Sequence, residues 1–331
     1  MEEKKIRYID LFCGIGGFRV AATQVFKKFG IASECVFSCD IDSYAREAYH
    51  ANFGEYPAGD ITKIESNSIP DHDLLFAGFP CQPFSIIGHK KGFEDVRGTL
   101  FFDVARIIEA KKPSGFVLEN VKQLATHQNG YTLERILETL KEIGYFVDWK
   151  VLNALDYGLP QKRERVFIVG SRAPIDFTFF WSNKQIERKP LSEILEPEVD
   201  PKYYASEYIQ ERRRHKHQSK YNPSIWHENK AGNICSYPYS CALRAGASYN
   251  YLLVNGERRL TPREMLRLQG FPDSYKIAVS ESQTRKQAGN SVPVNLVRAV
   301  LESLLPKLVE IKKQNNFTRQ SNVASVLEKY A

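Results

Sequence analysis

The sequence predicts an α/β protein with a doubly wound, mostly parallel sheet and a second, smaller, irregular β-rich domain. Between residues 6 and 170, short apolar runs alternate with stretches of helical length, which is typical of a parallel sheet covered by helices. After Pro174 this alternation stops, and the chain is irregular, aromatic and basic up to about Tyr275. A chain of 331 residues is long enough for one large domain and a smaller one.

The secondary-structure elements follow from this alternation. Strands are expected where short apolar runs occur, at residues 6–12, 35–39, 74–77, 116–119, 147–153 and 166–169. Helices are expected over the longer segments, at residues 18–29, 43–52, 99–110, 132–143, 261–268 and 293–305. Thr261 is a suitable N-cap, and Pro262 fits the first helical position after it. We expect residues 1–184 and 276–331 to form one domain and residues 185–275 to form the other.

Charge and hydropathy restrict the kind of protein and its partners. The chain has 43% hydrophobic and 26% charged residues, which is typical of a soluble globular protein. No run of about 18 apolar residues and no apolar signal segment is found, so we expect a cytoplasmic protein with no membrane contact. The net charge of +7 permits a polyanionic partner without requiring one.

The cysteines predict free thiols rather than disulfides or a metal site. They show no disulfide framework, and their positions are 13, 35, 39, 81, 235 and 241. Cys35 and Cys39 are four residues apart, but no second pair of Cys or His follows at zinc-site spacing. We therefore expect no metal cofactor.

A glycine-rich turn between the first strand and the first helix predicts a nucleotide-type cofactor. In "YIDLFCGIGGF" (8–18), Gly14 and Gly16 allow a tight turn and close approach of a ligand. Asp40 ends the second strand, where an acid commonly binds ribose hydroxyls. The third glycine of the dinucleotide fingerprint is missing, and Asp10 would repel a pyrophosphate. S-adenosylmethionine is therefore favoured over NAD, with a purely structural turn as the remaining alternative.

Asp60, in "GDIT" (59–62), is a second candidate for cofactor binding. With Ile61 beside it, this carboxylate suits an adenine amino group next to an apolar contact with the ring. An aspartate that caps a turn is equally consistent with the sequence.

Cys81 lies in an unusually stiff loop, "AGFPCQPFSIIG" (77–88). Pro80 and Pro83 exclude a helix there and restrict the backbone on both sides of the thiol. A short apolar strand precedes the loop, and the carboxyl ends of strands are where open α/β sheets bind ligands. The pattern indicates a reactive thiol, and a small buried core cysteine is the alternative.

Glu119, Arg163 and Arg165 are further candidates for chemistry. Glu119 ends a buried apolar strand, where burial would raise its pKa toward neutrality. Arg163 and Arg165 are two residues apart and lie on the same face of an extended segment. The alternatives are a structural carboxylate–arginine pair and a solvated charged face.

In their order along the chain, these motifs resemble those of the bacterial DNA cytosine-5 methyltransferases of restriction–modification systems. The resemblance spans residues 6 to about 303, except 171–257, and implies the fold of S-adenosylmethionine-dependent methyltransferases. The motifs that carry it are "DLFCGIGGF" (10–18), "GDIT" (59–62), "GFPCQPFS" (78–85), "RGTLFFDVARI" (97–107), "ENV" (119–121), "QKRERVFIVG" (161–170), "RRLTPREMLRLQGFP" (258–272) and "GNSVPVNLVRAV" (289–300).

The resemblance implies a mechanism. Cys81 is the nucleophile that adds to C6 of a cytosine flipped out of the duplex, which makes C5 able to accept the methyl group of S-adenosylmethionine. Glu119 holds a proton at N3 of the base, and Arg165, with Arg163 close by, stabilises charge at O2.

The resemblance also assigns binding residues. To the cofactor pocket, in addition to Gly14 and Gly16, it assigns Phe18, Asp40, Asp60, Ile61, Pro80, Leu100, Asn290 and Ser291. The expected contacts with double-stranded DNA are Gln82, Ser85, Lys90, Lys91, Arg97 and Arg244. Several of them lie in a glycine-flanked loop (85–98) that could close as a lid. Target recognition is expected from residues 185–257, including the arginines at 212, 213, 214 and 244.

Two positions depart from the family pattern. Asp40 stands where glutamate is usual, and Ala242-Leu243 where a Thr-Leu pair often contacts the target phosphate. The role of Leu243 is therefore open.

We expect a monomer that protects DNA from a restriction endonuclease acting on the same site without direct contact. The alternatives are a transfer-RNA cytosine-5 methyltransferase and a catalytically idle DNA-binding regulator. The recognition sequence is not predicted.

Overall fold

The structure is organised around one large sheet and two smaller ones. The computed structural model describes residues 5–80, 100–177, 181 and 186–309. In chain order the strands are β1 (Ile6–Leu11), β2 (Ser33–Cys39), β3 (Leu74–Ala77), β4 (Gly115–Val121), β5 (Phe146–Asn153), β6 (Gln161–Lys162), β7 (Glu164–Ser171), β8 (Ile225–Glu228), β9 (Ile234–Tyr237), β10 (Ser240–Cys241) and β11 (Leu252–Val254).

The helices lie between and after these strands. They are α1 (Gly17–Lys28), α2 (Ser43–Phe53), α3 (Leu100–Lys111), α4 (Tyr131–Glu142), α5 (Glu207–Lys216), α6 (Pro262–Leu268), α7 (Glu281–Asn290) and α8 (294–309). Short 3₁₀ segments occur at Ile61–Lys63, Ser66–Ser68, Lys122–Ala125, His127–Gly130, Ala154–Asp156, Leu191–Glu193 and Pro201–Tyr203. Within the described ranges, no helix has both the length and the apolar character needed to cross a membrane.

The large sheet has the strand order β2-β1-β3-β4-β7-β5. Neighbouring strands from β2 to β4 are parallel, whereas β7 runs antiparallel to both β4 and β5. The predicted mostly parallel sheet is thus confirmed. Parallel strands end at one edge, so the residues that follow β1, β2, β3 and β4 come together there, beside the start of β7.

Helices cover both faces of this sheet, as a doubly wound fold requires. Along β3 and β4, Phe76 and Val117 belong to one apolar cluster, with residues of α1 and α8. Leu75 and Leu118 belong to a second cluster, with residues of α3 and α4. Since successive strand residues point to opposite faces, continuous apolar runs supply both layers.

The region after residue 186 contains more regular structure than its sequence indicates. Strands β11, β8 and β9 form an antiparallel sheet, and β10 pairs with β6. The stretch "ERRRHK" lies in α5, where Arg213 is fully buried and donates to Glu228 at 3.1 Å and to the carbonyl of Trp226. The expectation that Arg213 contacts DNA is therefore wrong, because its charge is compensated inside the protein.

Asp10 is a buried carboxyl in β1. It is 0% exposed, and neither oxygen has a hydrogen-bond partner among the described residues. Burial raises the pKa of Asp10 to about 8, with Arg19 opposing this increase and Asp40 adding to it. The folded protein therefore favours the neutral acid over a pH range in which the unfolded chain is ionised.

We predict that Asp10→Asn changes how stability depends on pH. In the wild type, the contribution of neutral Asp10 to the free energy of unfolding is complete below pH 4 and is lost as the pH rises to about 8. The amide cannot ionise. Between pH 5 and pH 8, the free energy of unfolding of Asp10→Asn should therefore increase by a few kcal/mol relative to that of the wild type. Urea unfolding at both pH values measures this. Asp71→Asn, which removes an exposed carboxylate, is the control, and a difference for Asp10→Asn that does not change with pH would contradict the prediction.

Candidate active site

The turn between β1 and α1 has an unusual backbone. Phe12, Gly14 and Gly16 have positive φ values of 54°, 52° and 80°. The two glycines adopt this conformation without a Cβ penalty, whereas Phe12 adopts it as an exception to the usual preference. At Gly16 a Cβ would also overlap the ring of Phe53. Position 16 therefore requires glycine, both because its φ is positive and because a Cβ would not fit against Phe53.

Asp40 connects this turn to the end of β2. Its carboxylate accepts hydrogen bonds from the backbone N–H of Gly14 and of Asp42, each at 2.8 Å. Burial raises the pKa of Asp40, and the two N–H donors oppose the increase. Asp42 caps α2 and pairs with Lys286 of α7 at 2.7 Å. The two acids thus fix the turn, α2 and α7 relative to one another.

A cavity of about 460 Å³, open to solvent, lies at this edge of the sheet. The turn after β1, the end of β2, the loop after β3, the end of β4, the start of β7 and the end of α7 all contribute to its wall. Of the residues predicted from sequence, it brings together Gly14, Phe18, Asp40, Pro80, Glu119, Arg163, Arg165, Asn290 and Ser291.

Glu119 and Arg165 form an ion pair in this cavity. The Nε of Arg165 lies 2.8 Å from Oε1 of Glu119, and Glu119 is 9% exposed. The antiparallel register of β4 and β7, with Arg165 opposite Val121, brings the two side chains together. Burial raises the pKa of Glu119, and Arg165 and Arg163 oppose the increase. The site can therefore hold a carboxyl that exchanges a proton, beside a fixed cation.

Asn120 fixes the backbone that leads to the predicted nucleophile. Its side-chain amide donates to the carbonyl of Phe79 at 2.9 Å, two residues before Cys81. Cys81 itself lies outside the described residues, as do the loop 85–98 and the predicted DNA contacts Gln82, Ser85, Lys90, Lys91 and Arg97.

Arg163 is held by main-chain carbonyls. It is 1% exposed and donates to Leu243 at 2.8 Å, Gly289 at 2.9 Å and Ser291 at 2.8 Å. Its terminal nitrogens are thus engaged with protein, and Arg165 is the arginine paired with Glu119. Arg163 thereby joins β6 to the segment around residue 243 and to the end of α7, and its predicted place close to Arg165 at the base stays a prediction.

Comparison with known proteins agrees with this geometry. Residues 6–306 match the family described as C-5 cytosine-specific DNA methylase. The chain belongs to this family.

Two curated relatives of the methylase family cover most of the chain. It is 56% identical over 294 residues to the Type II methyltransferase M.NgoBI of Neisseria gonorrhoeae, covering 88% of this chain and 90% of that protein. It is 52% identical over 309 residues to the Type II methyltransferase M.HaeII of Haemophilus aegyptius, covering 92% and 94%. The fold is similar to that of S. pombe Dnmt2 methyltransferase, with a TM-score of 0.71 and 22% identity over 92% of this chain and 99% of that chain.

Not all predicted cofactor residues of this methylase line the cavity. Gly16, Asp60, Ile61 and Leu100 are not among its described lining residues. Asp60 caps a 3₁₀ segment by accepting from the backbone N–H and hydroxyl of Thr62, which lower the pKa of Asp60. This geometry matches the turn-capping alternative for Asp60. Ile61 is 3% exposed and belongs to the apolar core.

The cavity also contains residues that the sequence analysis did not single out. Phe12 lines it, whereas Phe18, which also reaches it, is 3% exposed and stacks on Phe76. Gln287 lines the cavity with its buried Nε2 lacking a partner among the described residues. The positive φ of Phe12 has no sequence signal, but Gln287 lies two residues before the recognised "GNS" and could have been included.

Arg244 and Leu243 have different environments in the segment after β10. Arg244 is exposed, with its guanidinium 4.9 Å from the ring centre of Tyr251. Leu243 is buried, its N–H donating to Gln161 at 3.0 Å and its carbonyl accepting from Arg163. Leu243 thus anchors the segment, and Arg244 remains accessible for an anionic partner.

We predict that Gly289→Ala disturbs this junction. A Cβ at Gly289 would overlap the backbone nitrogen of Ala245, whereas a Cβ at Gly246 would meet nothing within 4 Å. Gly289→Ala should lower the free energy of unfolding by about 1–3 kcal/mol and weaken binding of both S-adenosylhomocysteine and DNA. Urea unfolding and titration calorimetry measure these effects. Gly246→Ala is the matched control, and equal behaviour of the two variants would contradict close packing at Gly289.

Proposed function

We propose that this chain methylates C5 of cytosine in double-stranded DNA, with S-adenosylmethionine as methyl donor, as the modification enzyme of a Type II restriction–modification system. The observation that supports it is the buried Glu119–Arg165 pair, which faces the cavity next to the glycine turn. Membership of the methylase family supplies the reaction type. The names of the curated relatives support the restriction–modification context.

The cavity lining suits S-adenosylmethionine. The ligand supplies an electrophilic methyl group when it is bound. Asp40 lies where an acid can bind the ribose hydroxyls, and Asp42 and Lys286, which pair with each other at 2.7 Å, line the wall beside it. Gln287 is 6% exposed, and its Nε2, which has no partner in the described part of the chain, is a buried donor that a ligand acceptor would satisfy.

The proposed chemistry on the base divides among three side chains. Cytosine must leave the helix stack to reach an interior site. The Cys81 thiolate attacks C6, the protonated carboxyl of Glu119 donates at N3, and the fixed guanidinium of Arg165 stabilises charge at O2. Arg165 also keeps Glu119 in place at 2.8 Å. C5 would then take the methyl group as S-adenosylhomocysteine leaves. Loss of the C5 proton to a base, with return of the N3 proton to the carboxylate of Glu119, would expel the thiolate.

Residues 185–275 are proposed as the target recognition domain, and the protein is proposed to act as a monomer. Arg244 is exposed on a segment that Leu243 anchors beside β6 through Gln161 and Arg163. A phosphate contact from Arg244 would replace the one that the Thr-Leu pair provides where it is present.

We predict that the wild type transfers label from S-adenosylmethionine to plasmid DNA and that Cys81→Ser does not. Bisulfite sequencing should place the label at C5 of cytosine in one short motif and thereby give the recognition sequence. Cys35→Ser, which removes a buried thiol in β2, is the control and should retain activity. Label on transfer RNA but not on DNA would show that transfer RNA, and not DNA, is the substrate. Cofactor binding without transfer to either nucleic acid would indicate a regulator.

We predict that Glu119→Gln lowers the single-turnover methylation rate by about 100-fold or more while DNA is still bound, because the amide cannot transfer a proton. Burial raises the pKa of Glu119, so in the wild type the protonated carboxyl is lost only as the pH rises through this raised pKa. The wild-type rate should therefore decline at high pH, and Glu119→Gln should lack this decline. The same high-pH decline in both proteins would assign it to another group.

A further inference from the structure

Tyr275 contacts the glycine turn from a distant part of the sequence. Its hydroxyl donates to the carbonyl of Ile15 at 2.8 Å. Tyr275 is 5% exposed and Ile15 is 2% exposed, so water does not compete for this hydrogen bond. Tyr275 follows α6, where the chain returns from the region 185–275 to α7.

The carbonyl that Tyr275 binds lies inside the turn that lines the cavity. Ile15 is flanked by Gly14 and Gly16, and both have positive φ. On the other side of the turn, Asp40 accepts from the N–H of Gly14. A turn with several left-handed residues keeps its conformation only where the surrounding structure holds it. Asp40 holds the turn at the N–H of Gly14, and Tyr275 holds it at the carbonyl of Ile15.

Tyr275 is itself held by neighbouring elements. Arg263 of α6 donates to its carbonyl at 2.8 Å, and its ring packs edge-on against Phe271 with 4.8 Å between centroids. The next residue, Lys276, exchanges two hydrogen bonds with Asn52 of α2, at 2.7 and 3.0 Å. The hydroxyl therefore approaches Ile15 from a fixed position.

We infer that Tyr275 is a positioning residue for cofactor binding: its hydroxyl holds the Ile15 carbonyl, and so keeps the turn in the conformation that places Phe12 and Gly14 at the cavity. This inference rests on the proposed cofactor site. Tyr275 is not among the described residues that line the cavity, so it acts through the turn.

Tyr275→Phe tests the inference because it removes only the hydroxyl. The dissociation constant of S-adenosylhomocysteine, measured by titration calorimetry, should rise about five- to tenfold, as expected for the loss of one buried hydrogen bond. The KM for S-adenosylmethionine should rise similarly, whereas kcat at saturating cofactor and the KM for DNA should stay within about twofold. Amide hydrogen exchange over residues 12–17 of the unliganded protein should become faster.

Tyr145→Phe is the matched control. The hydroxyl of Tyr145 also donates to a buried carbonyl, that of Pro113, at 2.7 Å, but at the opposite edge of the sheet. Equal weakening of ligand binding in both variants, or no weakening in Tyr275→Phe, would overturn the inference while leaving the proposed function in place. Absence of S-adenosylhomocysteine binding by the wild type would instead overturn the cofactor assignment, and this inference with it.

Discussion

The arrangement of the site depends on a buried polar network around Arg163 and Gln161. Arg163 donates to three carbonyls, and Gln161 accepts from Leu243 and donates to the carbonyl of Leu268 at 2.8 Å. Gln269 extends the network to the end of α7 by donating to the carbonyl of Ala288. A buried guanidinium is costly unless it is hydrogen-bonded, and the bonds from the two terminal nitrogens of Arg163 therefore favour one arrangement of these distant segments. The network thereby fixes the end of α7 and the segment around residue 243 beside β6.

Burial has different consequences at two carboxyls of the same sheet edge. It raises the pKa of both Asp10 and Glu119. Glu119 has a guanidinium at 2.8 Å, so a fixed cation compensates its ionised form. Asp10 has no hydrogen-bond partner among the described residues, so its ionisation opposes folding. The surroundings rather than the depth of burial make Glu119 the candidate for proton transfer.

The sequence predicted those features that depend on local pattern. The strands of the large sheet, the helix after Thr261 and the position of Glu119 at the end of β4 follow from apolar runs and capping residues. Features that depend on tertiary contacts were not predicted. The buried Arg213 is stabilised by Glu228, which its own segment does not indicate. Likewise, the positive φ of Phe12 arises from the turn as a whole, and Phe18 stacks in the core against Phe76.

Residues near both ends of the described chain, 12–18 and 286–292, contribute to the cavity wall. During synthesis, the first strand and its turn leave the ribosome long before the end of α7 does. A nascent chain therefore cannot complete this cavity until nearly all of the described residues have emerged. Methyl-transfer activity would consequently require residues 286–292 to have emerged, and a product that ends before them would lack the part of the wall that they form.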